Sequence, residues 1–63
     1  MKEFMFLTEV LKLVKDQQYT DAYIMLRSDH KYHAFASLIA EGLYCTVADA
    51  IEDRLNDLSS DLI

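Results

Sequence analysis

Apolar positions recur along the chain with a period close to that of an α-helix, in four stretches separated by short polar breaks. In the first, Phe4, Phe6, Leu7, Val10, Leu11, Leu13 and Val14 cover about half the circumference at 100° per residue, with Glu9, Lys12, Lys15 and Asp16 opposite. A face that wide suits a helix that is central to a bundle or that covers a second chain. "KDQQYT" (15–20) ends the pattern, and Thr20 is the expected N-cap of a second helix carrying Ala22, Tyr23, Met25 and Leu26. Residues 19–27 have enough aromatic and β-branched character for a strand, but no partner strand is apparent, so helix is expected. "RSDH" (27–30) breaks the run again, with Ser28 or Asp29 as the next cap. Tyr32, Phe35, Ala36, Leu38, Ile39 and Ala40 then predict the apolar face of a third helix that ends near Gly42.

The stretch "GLYCTVADAIEDRL" (42–55) reads as a helix stop, a turn and a helix start. Gly42, the one glycine of the chain, suits the left-handed position after a helix, which places Leu43 where it can touch Leu38 in a Schellman motif. Thr46 is the expected cap of the fourth helix, with Asp49 three residues on as a short-armed capping box. Val47, Ile51, Leu55, Leu58 and Leu62 form its apolar stripe. A weak echo at an offset of 28 lays Leu7 on Phe35, Val10 on Leu38, Leu11 on Ile39 and Asp21–Ala22 on Asp49–Ala50. The fold class predicted is all-α: one domain spanning residues 1–63, a small bundle of four short helices arranged as two helical hairpins and completed by dimerisation.

Length sharpens that last expectation. A chain of 63 residues buries only about 60% of the surface its unfolded form exposes, and one cysteine cannot form an internal disulfide. Stability must come from helix packing or self-association. A homodimer joined through Phe4, Phe6, Val10 and Leu13 is therefore expected. An apolar fraction of 52% excludes a disordered chain. The longest unbroken apolar runs, "FMFL" (4–7) and "AYIML" (22–26), fall far short of the roughly 18 residues that a membrane span needs. Glu9, Lys12 and Lys15 interrupt what could pass for a signal-peptide core, so the expected location is the cytoplasm, with no membrane partner.

Charge separates the function classes. Net charge is −5, and residues 46–63 carry Asp49, Glu52, Asp53, Asp57 and Asp61 against Arg54 alone. The helix-turn-helix punctuation around Gly42 makes a DNA-binding transcriptional regulator the alternative reading. However, the helix after the turn would present Asp49, Glu52, Asp53, Asn56 and Asp57 to a polyanion, which disfavours nucleic acid as a partner. Binding through another surface would need Lys12, Lys15, Arg27 and Lys31 to converge.

Catalytic and metal chemistry find little support. His30 and His33 form an H-x-x-H, but zinc wants three or four ligands, and a solvated polar face with Ser37 and Glu41 is the simpler reading. Cys45 reads as a small packing residue at the turn. No phosphate loop, H-E-x-x-H or G-x-S-x-G occurs, so no enzyme activity, catalytic residue, metal or cofactor is expected. Tyr19, Tyr23, Tyr32 and Tyr44 are candidates for an aromatic contact patch, and Met5, opposite the apolar face of the first helix, for an exposed apolar contact. The sequence thus predicts a small acidic interaction module that acts as regulator, adaptor or inhibitor by occupying a surface of a larger partner, as many short bacterial or phage proteins do. Asp49, Glu52, Asp53 and Asp57 would face a basic protein surface and could imitate nucleic-acid charge.

Overall fold

A computed structural model describes residues 2–61, with side chains described from 3 to 60. Four helices follow in order, α1 (Lys2–Lys15), α2 (Tyr19–Arg27), α3 (His33–Ala40) and α4 (Tyr44–Asp61), with a 3-10 turn (His30–Tyr32) leading into α3. No strand occurs among the described residues, and 19–27 is helical as expected. A lone strand would leave its backbone groups unpaired, whereas a helix satisfies them internally.

α1 packs against α2 and α4, and α3 packs against the same two helices. Leu7, Val10 and Val14 form the buried centre line of α1, while Phe4, Phe6, Leu11 and Leu13 pack half-buried against the core. The breadth of its apolar face is thus used by two neighbours in the same chain. Val10, expected on a self-association face, is 0% exposed, because its own chain already covers it. The core is completed by Ala22 and Leu26 of α2, Tyr32, Ala36 and Ile39 at α3, and Val47, Ile51 and Leu58 of α4. Ala40, assigned to the apolar face of the third helix, is exposed at its last turn, and Leu62 lies outside the described residues. The radius of gyration, 10.9 Å, is close to the roughly 10.6 Å of a well-packed chain of this length.

Two turns of the same construction link α1 to α2 and α3 to α4. At the first, Gln17 has φ 65°, its N–H donates to the Val14 carbonyl at 3.1 Å and the Gln18 N–H to the Leu13 carbonyl at 2.8 Å. At the second, Gly42 has φ 79°, its N–H donates to the Ile39 carbonyl at 3.0 Å and the Leu43 N–H to the Leu38 carbonyl at 2.9 Å. Both are Schellman motifs. Each is followed at once by a helix opening on tyrosine, Tyr19 or Tyr44. The structural repeat therefore has an offset of 25, which superimposes buried Val14 on Ile39, Ala22 on Val47 and Leu26 on Ile51. The offset of 28 differs from it by three residues, close to one helical turn, so an apolar stripe matches itself almost as well at either shift.

These turns also displace the expected caps. Gln18 and Leu43 each close one helix and open the next, the Ala22 N–H donating to the Gln18 carbonyl at 3.1 Å and the Val47 N–H to the Leu43 carbonyl at 3.0 Å. Thr20 and Thr46 consequently lie inside the first turns of α2 and α4 and do not cap them, since the motif leaves no room for a separate N-cap. Asp29 does cap: its carboxylate accepts from the Lys31 N–H at 3.0 Å, at the start of the 3-10 turn. Ser28 instead donates back to the Met25 carbonyl at 2.6 Å, closing α2.

Candidate functional site

The outward face of α4 carries the acids. Asp49, Glu52, Asp53 and Asp57 are all exposed, with Asn56 between them. The burial of Val47, Ile51 and Leu58 on the opposite stripe fixes that orientation. Asp49, Asp53 and Asp57 stand one turn apart on a single ridge, about 12 Å from first to last at 1.5 Å per residue. Among the described residues none of these three is in an ion pair. Glu52 meets Lys15 of α1, Nζ to Oε1 3.1 Å, in a pair whose side chains are 61% and 47% exposed and which contributes little in water. Of the four bases that a second nucleic-acid surface would need, Lys15 and Lys31 are taken up by carboxylates, Glu52 and Glu3.

A polar cluster at the start of α1 was not foreseen. Glu3 Oε2 accepts from the Tyr32 hydroxyl at 2.7 Å and from Arg54 Nε and Nη2 at 3.3 and 3.2 Å, and lies 3.3 Å from Lys31 Nζ. The Tyr32 hydrogen bond, helped by Lys31 and Arg54, holds the Glu3 carboxyl below its usual range against an opposing effect of burial. Burial and the Glu3 carboxylate push the Tyr32 hydroxyl up to about 12. A signal existed in the sequence. Glu3–Leu7–Val10–Val14 and Val47–Ile51–Arg54–Leu58 share one helical spacing, so each buried stripe contains one charged residue, and these two charges meet. The cluster ties α1, the 3-10 turn and α4 together.

The tyrosines do not form a single patch. Tyr19 and Tyr44 stack face to face with centroids 3.7 Å apart and planes 4° from parallel. With Tyr23, Thr20, Ile39 and Ala40 they line a groove of ≈ 280 Å³. Tyr32 is buried elsewhere, between Phe6 at 5.2 Å and Phe35 at 6.1 Å. The stacking of Phe6 on Tyr32 also shows that part of the proposed dimer face is engaged within the chain. Phe4, Phe6 and Leu13 keep partial exposure, while Met5 (71%), Ile24 (60%) and Leu43 (45%) are the large apolar side chains most open to solvent among the described residues.

His30 and His33 are exposed, their rings 4.7 Å apart and tilted by 41°. No group of three or more candidate metal ligands occurs among the described residues. Cys45 is exposed, not packed: the early start of α4 places it four residues before Asp49, on the outward side. No helix among the described residues is long and apolar enough to cross a membrane. No family model, curated protein or solved structure matches the chain, so the functional reading rests on its own residues.

Proposed function

We propose that this chain is a small protein-interaction module whose α4 seats on a basic surface of a larger protein and acts by occupying it, as a regulator, adaptor or inhibitor. The observation that carries the reading is the exposed ridge of α4. Four carboxylates stand within about 12 Å of helix axis, and Asp49, Asp53 and Asp57, in no ion pair among the described residues, follow one another at intervals of about 6 Å. A basic groove built for phosphates would therefore meet a row of open carboxylates on α4. Like charges one turn apart repel by a few tenths of a kcal/mol per pair, so the ridge costs stability that a partner's lysines and arginines would recover. Such complementarity acts mainly on association rate and specificity, and it weakens as salt rises.

We propose in addition that the chain self-associates as a homodimer. In this reading the four helices pair as two helical hairpins, and a second copy would cover what Phe4, Phe6 and Leu13 of α1 leave half-buried, with Met5 exposed on the opposite side of that helix.

The test is affinity capture from the native host's lysate with the wild-type chain and with the triple variant Asp49→Asn, Asp53→Asn, Asp57→Asn. A basic protein retained by the wild type, lost from the variant and released by moderate salt supports the proposal. Capture that ignores the triple substitution removes the role of the acidic ridge. Binding of random duplex DNA at low salt, weakening steeply with added salt, would instead favour a DNA-binding regulator. Sedimentation at tens of micromolar addresses the dimer separately: a monomer of 7.3 kDa overturns self-association and leaves the acidic ridge in place.

A further inference from the structure

The tyrosine groove is a second surface, and the charge beside it is opposite in sign to the acidic face of α4. It adjoins a smaller one of ≈ 130 Å³, sharing Tyr23 and Ala40 with it, which extends the surface along α2 and α3 to Arg27 and His33. In a chain with 11 acids and net charge −5, no Asp or Glu among the described residues lines either part. The fixed charge there is Arg27, exposed, in no ion pair among the described residues, with its guanidinium carbon 5.9 Å from the centroid of the Tyr23 ring. Thr20, Tyr23, Ile24 and Arg27 follow the spacing of one helical stripe, so the 60% exposed Ile24 carries apolar surface on beside the groove.

We infer that this joined groove docks an acidic peptide segment of a partner protein, an apolar or aromatic side chain resting on Tyr19, Tyr23 and Tyr44 while a neighbouring carboxylate is held by Arg27. Tyrosine rings offer contact area at small entropic cost, and three of them converge here on a volume that admits one or two side chains. The guanidinium can take a carboxylate in two parallel hydrogen bonds, and its position over Tyr23 limits how far it wanders. A basic segment finds no carboxylate in the groove and meets Arg27 as a like charge. The inference is independent of the reading of α4, because the two surfaces select partners of opposite sign.

The experiment is a titration of the ¹⁵N-labelled full chain, followed by amide shifts. The probes are an N-acetylated, C-amidated heptapeptide Glu-Glu-Phe-Leu-Glu-Phe-Glu and the same peptide with every Glu replaced by Lys. The glutamate peptide is expected to shift the amides of Tyr19, Tyr23, Arg27, Ala40 and Tyr44. The lysine peptide is expected to leave them in place, and Arg27→Gln to weaken the glutamate peptide about tenfold. Asp53→Asn with Asp57→Asn should change that affinity by less than about twofold, which separates this surface from the acidic face of α4. Equal response to both peptides, shifts confined to other helices, or affinity indifferent to Arg27→Gln overturns the inference. So does concentration-dependent movement of the same amides without peptide, which would identify a second copy of this chain as the occupant.

Discussion

Gln17 holds a backbone conformation, φ 65°, that a Cβ makes costly and that glycine adopts freely. Gln17→Gly is expected to stabilise the fold by about 0.5–1 kcal/mol, because relief of strain exceeds the added freedom of the unfolded chain. Gly42→Ala is expected to destabilise it by about 1 kcal/mol through strain alone, since nothing among the described residues lies within 4 Å of where the new Cβ would stand. Urea midpoints of the two variants check both signs. Glu3 is the other residue on which much converges. Glu3→Gln is expected to cost about 1 kcal/mol at neutral pH, the net value of weakening a partly exposed set of charged hydrogen bonds. With the folded pKa of Glu3 depressed, its contribution is present above the ordinary value of 4.5 and lost as pH falls through the lowered one. With the folded pKa of Tyr32 raised, its contribution is present below 10.0 and lost as pH climbs through about 12. Melting curves across pH should therefore show wild type and Glu3→Gln converging at the acid end. Tyr32→Phe should lack the wild type's extra loss of stability above pH 10.0.

The caps and the tyrosine stack are properties of elements. Because α4 begins at Tyr44, Thr46→Ala is expected to change stability by less than about 0.5 kcal/mol, where a true N-cap would cost about 1. Asp29→Ala, which removes an observed cap, is expected to cost about 0.5–1 kcal/mol. Denaturation of the two variants side by side checks the contrast. Tyr19 and Tyr44 open α2 and α4, and their stacked rings pin those two helix starts together. A double-mutant cycle with Tyr19→Ala and Tyr44→Ala should return a coupling of about 0.5–1.5 kcal/mol. Additive effects would show that the rings contribute only as separate apolar surfaces.

At the scale of the whole molecule, the acidic ridge sets stability against binding. The triple Asn variant lowers the net charge from −5 to −2 and removes like-charge neighbours one turn apart, so it should melt at an equal or higher temperature than the wild type while losing partner capture. A variant that lost both would point to a structural role for these carboxylates. Much of this architecture was legible beforehand. Helical periodicity located all four helices, Gly42 marked its turn, and the side of α4 opposite Val47 and Ile51 had to be the exposed one. These features depend on neighbours within one or two turns, and local spacing determines them. The turn at Gln17 was hidden because glutamine does not signal a left-handed backbone, and the offset of 25 was masked by a near-match one helical turn away. What only the tertiary structure decided were the meetings between distant residues. Val10 is covered by its own chain, Glu3 meets Arg54 across 51 positions, Tyr19 stacks on Tyr44 while Tyr32 goes elsewhere, and Arg27 stands in a groove without acids. Each depends on which helix lies against which, and that is settled by the packing of all four helices together, whereas periodicity reports only which face of each helix turns inward.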